Sequence, residues 1–69
     1  MKRKVILTKL SKERVSVYTS RYDFICYCNY SKLMSSLSVN QIQKLNKTYI
    51  DDESVFIISE SIINKCEER

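Results

Sequence analysis

Val55-Phe56-Ile57-Ile58-Ser59 is the stretch on which the fold turns. On a helix, its four consecutive apolar residues would cover every side and leave none for water. On a strand they form a compact, β-rich run suited to burial. As a strand, with Ser59 capping a short helix from Glu60 to Glu68, the run makes the chain α+β. The alternative is one long helix capped by Asp51 or Asp52 and striped by Val55, Ile58, Ile62 and Cys66. Strand plus helix is preferred. No charge interrupts the run, so it is expected inside the sheet or in the seam of a dimer.

Working back from this run, Ser38-Val39-Asn40-Gln41 has the form of a capping box, with Leu37 and Ile42 placed as a hydrophobic staple. Val39, Ile42, Leu45 and Tyr49 recur at helical spacing, predicting a helix over Ser38–Lys47. Ser31–Leu37 reads as a short helical turn ahead of it. The first thirty residues read as strands. Lys4–Leu10 is apolar and β-branched at its centre, and Lys2, Arg3, Lys4 and Lys9 would guard its edge. Arg14–Ser20 alternates, with Val15, Val17 and Thr19 opposite Ser16, Tyr18 and Ser20. Phe24–Tyr30 sets Phe24, Cys26, Cys28 and Tyr30 against Ile25, Tyr27 and Asn29. Short polar breaks join these runs, and without glycine the first connection needs more than a two-residue turn. The expected fold is one α+β domain spanning 1–69. It has a three-stranded N-terminal antiparallel meander, a fourth strand at 55–58, and helices at about 38–47 and 60–68.

Sixty-nine residues, 43% of them hydrophobic, suffice for one small core. Such a core rarely supplies more than about 3–5 kcal/mol of net stability, so a partner or staple is expected. Disulfides are a poor staple here. The three cysteines are an odd number. Cys26 and Cys28, two apart on a strand, have Cα atoms about 6–7 Å apart, near the upper limit for bridging. The apolar run behind Met1-Lys2-Arg3-Lys4 breaks at Thr8 and Lys9, too early for a secretory leader. No stretch reaches the roughly 20 apolar residues a bilayer needs. The chain is therefore expected in the cytoplasm, off the membrane, with reduced thiols. Gly, Pro, Ala, His and Trp are absent while Lys, Ile, Tyr and Asn abound, which points to an AT-rich genome of the kind phages and mobile elements carry.

Chemistry is constrained mainly by what is missing. Without histidine the commonest general base and metal ligand is gone. Without glycine there is neither a nucleophile elbow around any of the ten serines nor a phosphate-cradling loop. Cys26, Cys28 and Cys66 lack both the usual ligand spacing and a fourth ligand for a metal. No enzyme, no cofactor and no metal is expected.

Charge is laid out unevenly. Residues 1–35 carry eight basic against two acidic side chains, and residues 36–69 carry four against six. Five tyrosines suit a contact surface, having broad apolar area and a polar tip. The first expectation is a non-enzymatic module binding a larger host protein, of the kind a phage regulator or inhibitor would be. Its candidate contacts are Arg14, Tyr18, Arg21 and Tyr22, with Asp51, Asp52 and Glu53 as a separate acidic patch. Self-association as a homodimer is also expected, because so small a core leaves strand edges to protect. The alternative is a small nucleic-acid-binding regulator. It would use Lys9 and Lys12 beside an exposed aromatic strand, or Asn40, Gln43, Lys44 and Lys47 on the 38–47 helix, where amides could pair with adenine and lysines with phosphate.

Overall fold

A computed structural model describes residues 2–68; the expectations that touch Met1 and Arg69 lie outside them. Five strands, β1 (Lys2–Lys9), β2 (Arg14–Thr19), β3 (Phe24–Asn29), β4 (Glu53–Ser59) and β5 (Glu67–Glu68), form one antiparallel sheet in the order β4-β1-β2-β3-β5. Three helices complete the chain: α1 (Tyr30–Ser36), α2 (Val39–Lys47) and α3 (Glu60–Cys66).

The class is α+β as expected, and the sheet is larger than expected: β1, β2 and β3 pair antiparallel in succession, and β4 and β5 extend them to five strands, one at each end. β1 is interior, held by β2 on one side and by β4 along seven residue pairs on the other, so its lysines guard no free edge. The helix expected over 60–68 stops at Cys66. Glu67 and Glu68 instead pair with Cys28 and Tyr27 as β5. The short turn expected at Ser31–Leu37 is a helix that begins at Tyr30, capped by the Asn29 side chain, which accepts from the Lys32 N–H at 3.0 Å.

Hydroxyls do the turning that glycine would otherwise do. The Ser11 hydroxyl accepts the N–H groups of Glu13 and Arg14, both at 3.1 Å, and closes the first connection. The Thr19 hydroxyl accepts those of Arg21 and Asp23 at 3.2 and 3.1 Å. Tyr22 completes this second turn at φ 67°, a left-handed conformation that costs a residue with a Cβ about 1–2 kcal/mol.

The capping box of α2 is complete. The Ser38 hydroxyl accepts from Gln41 N–H, and the Gln41 side chain accepts from Ser38 N–H at 3.3 Å. Leu37 is buried and Ile42 packs against the core. The rest of the expected stripe fails. Leu45 is buried, but Val39 and Tyr49 are exposed, because α2 rests on the margin of the sheet rather than across it. From there Gln41 Nε2 donates to the Ile57 carbonyl at 2.8 Å and Lys44 Nζ donates to the Val55 carbonyl. These carbonyls lie on β4, the end strand of the sheet, so α2 closes that edge with side chains.

One face of the sheet carries the core. Val5 pairs with Phe56, Leu7 with Val17, Val17 with Cys26 and Val15 with Cys28. These residues join Leu33 of α1, Leu45 of α2 and Ile63 of α3 in a single buried cluster. Paired residues share a face and strand neighbours alternate, so the intervening residues lie on the side away from the helices. Val55–Ile58 follows this rule: Phe56 and Ile58 are buried, while Val55 and Ile57 are exposed. Of the two places expected for the run, the inside of the sheet is corrected for Val55 and Ile57. The run is an edge strand with one wet face.

Candidate functional site

The helix-free face is built in rows that the strand register fixes. Val55 lies beside Ile6, Ile6 beside Tyr18 and Tyr18 beside Phe24, giving an apolar row across four strands. Below it Ile57 lies beside Lys4. Above it Glu53 lies beside Thr8, Thr8 beside Ser16, Ser16 beside Tyr27 and Tyr27 beside Glu68. Phe24 reaches this face through an irregularity in the β2–β3 register between Val17 and Tyr18, which reverses the side expected for it. Its ring meets Tyr18 edge-on at 5.8 Å and Tyr27 at 4.9 Å. Phe24, Tyr27, Val55 and Ile57 are 52%, 42%, 43% and 58% exposed. Large apolar side chains on an uncovered face make it the candidate contact surface.

The expected partner-binding residues fall into three groups. Tyr18 and Arg14 belong to this face. The Arg14 guanidinium sits 5.1 Å from the Tyr27 ring centre and pairs with Glu68 at 3.5 Å. Arg21 and Tyr22 lie in the turn at the end of β2, both exposed. The Glu53 carboxylate lies near the Tyr22 phenol, and its hydrogen-bonding oxygen and charge push that phenol above its ordinary 10.0. The acidic triplet is therefore not a separate patch. Glu53 joins the turn and the sheet face, while Asp51 and Asp52 form the entry to β4. Asp51, at φ 69°, donates its N–H to the Lys9 carbonyl at 2.7 Å, and Lys9 N–H donates to the Asp52 carbonyl at 3.1 Å.

The residues of the nucleic-acid alternative are scattered. Lys12 is exposed in the first turn, and Lys9 lies on the core side, with Nζ 5.1 Å from the Tyr30 ring centre. Asn40, Gln43 and Lys47 are exposed on α2. Lys44 is held on the sheet edge, 4.7 Å from the Phe56 ring centre.

The three thiols are buried and unpaired. Cys26 Sγ and Cys28 Sγ stand 3.9 Å apart, and the Cys28 thiol points at the Ile63 carbonyl at 3.9 Å. Burial pushes both Cys26 and Cys28 above the ordinary 9.0, which leaves them poor nucleophiles near neutrality. Among the described residues no group of three or more His, Cys, Asp or Glu is arranged to hold a metal, and no helix is long and apolar enough to cross a membrane.

Of the residues on this face the sequence singled out Tyr18 and Arg14, while Phe24, Tyr27, Val55 and Ile57 were assigned to strands without a contact role. No family model, curated protein or solved structure matches the chain.

Proposed function

We propose that this chain is a small non-enzymatic protein-binding module whose contact surface is the helix-free face of its sheet. The exposure of Val55 and Ile57 on β4 and of Phe24 and Tyr27 on β3, joined across the same face by Ile6 and Tyr18, carries this reading. Charges of both signs border them, with Lys4, Arg14, Glu53 and Glu68 around an apolar centre, which is the anatomy of a protein contact. A phosphate backbone would instead favour a basic surround, and two carboxylates stand in its way. The partner is a larger host protein, and the module acts by occupying it, as a phage or mobile-element regulator would. Composition and reduced thiols support a cytoplasmic setting.

The test is capture from nuclease-treated host lysate by three immobilised forms: wild type, Ile57→Glu on the open face, and Lys65→Glu on α3 behind the sheet. Wild type and Lys65→Glu should retain the same protein, and Ile57→Glu should lose it while keeping a native circular-dichroism spectrum. Equal retention by Ile57→Glu would remove the face from the proposal. Loss of all retention after nuclease would replace it with nucleic acid.

A further inference from the structure

Resting on the assignment of the open face as a protein-contact surface, we infer that a second copy of the chain covers this face, packed sheet to sheet about a two-fold axis across the strands. Three observations carry the inference: where the chain is closed, how its charges are ordered, and how large the face is.

The usual route for a small sheet to dimerise is strand addition at an edge. At β4 that route is closed, because the Val55 and Ile57 carbonyls already accept from Lys44 and Gln41. The apolar side chains of the same two residues are left facing outward on the sheet. What remains available at β4 is its face.

Across β1 and β4, charge on that face is ordered along the strands, while at the upper end of β2 Arg14 pairs with Glu68. Lys4 lies one row below the Val55-Ile6-Tyr18-Phe24 row, with Lys2 beyond it on the same side of β1. Glu53 and Glu68 lie in the row above. A two-fold axis along the apolar row turns the lower row of one copy onto the upper row of the other. Lys4 then faces Thr8 of the second copy, whose neighbour on β4 is Glu53, one strand spacing of about 4.8 Å away and within reach of a lysine. The operation makes this contact twice. An axis parallel to the strands would instead leave each upper row facing another upper row, with Glu53 toward Glu68. The reciprocal Lys4–Glu53 contact is made only by the first arrangement. That arrangement is the aligned packing of two sheets, about 10 Å apart with strands within about 30°.

Size agrees. A standard interface takes about 800 Å² from each partner, roughly one sixth of this chain's 4740 Å². With extents of 25 × 22 × 22 Å the body is nearly a cube, and one sheet face is about one sixth of its surface.

The experiment is light scattering on the full chain over a wide micromolar range, with charge-reversal variants. Wild type should approach the mass of two chains as concentration rises, and Ile57→Glu should stay at one. Lys4→Glu and Glu53→Lys should each weaken the dimer by at least about tenfold, since each sets like charges opposite one another. Mixing the two variants should restore it, because Lys4→Glu then faces Glu53→Lys at one contact and native Lys4 faces native Glu53 at the other. A mass of one chain for wild type at every concentration overturns the inference, as does dimerisation of Ile57→Glu equal to wild type, or a mixture that stays monomeric. A monomeric wild type whose capture of a host protein is still lost on Ile57→Glu would sink the dimer and leave the contact surface standing. A dimer that is lost on Ile57→Glu, with no captured protein, would sustain the second copy as occupant of the face and remove the host protein.

Discussion

Cys28 is fully buried beside Cys26, and its surroundings favour the protonated thiol. Both thiols titrate above their ordinary 9.0 in the fold, so the folded state holds protons that the unfolded chain has already released. Their contribution to stability is therefore complete below about pH 9 and declines as pH rises from there through the folded-state values. Denaturant midpoints should fall with pH above 9 more steeply for wild type than for Cys28→Ala, whatever that variant loses at neutral pH. Parallel slopes would mean that the thiol environment is not apolar. Tyr22 shows a different residue-scale cost: it keeps a left-handed backbone and a phenol near Glu53 in a turn that any glycine would close more cheaply.

At the scale of elements, α2 connects a local signal to a long-range one. Ser38 and Gln41 were legible in the sequence because a capping box spans only four residues. That Gln41 also reaches across to the Ile57 carbonyl was not, since nothing local fixes which strand lies beside the helix. Ser38→Ala should cost about 0.5–2 kcal/mol. Gln41→Ala should cost at least as much, because it removes both the return bond to Ser38 N–H and the closure of β4. Thermal melts compare the two directly, and a loss for Gln41→Ala well below that for Ser38→Ala would show the β4 contact to be idle. The same limit explains the misreading of Val55–Ile58. Strand period was readable, but four apolar residues in a row hide which two face the core. Only pairing with β1 separates Phe56 and Ile58 from Val55 and Ile57. Phe24 was misplaced because the register shift that turns it outward depends on β2, not on its own neighbours.

For the whole molecule, the core and the proposed contact surface lie on opposite faces of one sheet. The core cluster draws on all three helices and lies wholly on one side, with Leu7 and Leu45 fully buried in it. On the other side only Ile6 and Ser16 are buried among the residues of the rows, covered by longer neighbours in the same sheet. Removing side chains from the two sides should therefore have very different effects. Leu7→Ala or Leu45→Ala forfeits apolar transfer and leaves a cavity, a cost of about 2–5 kcal/mol, which a domain of this size can scarcely absorb. Phe24→Ser together with Ile57→Ser removes surface that is already half wet, and in dilute solution should cost no more than about 1–2 kcal/mol. At high concentration the double variant should also lack the rise in melting temperature that the proposed self-association would give wild type. Chemical denaturation at low concentration, followed by melts at increasing concentration, separates the two effects. If the double variant unfolds as readily as Leu45→Ala when dilute, the open face belongs to the folding core and is not a surface held in reserve for a partner.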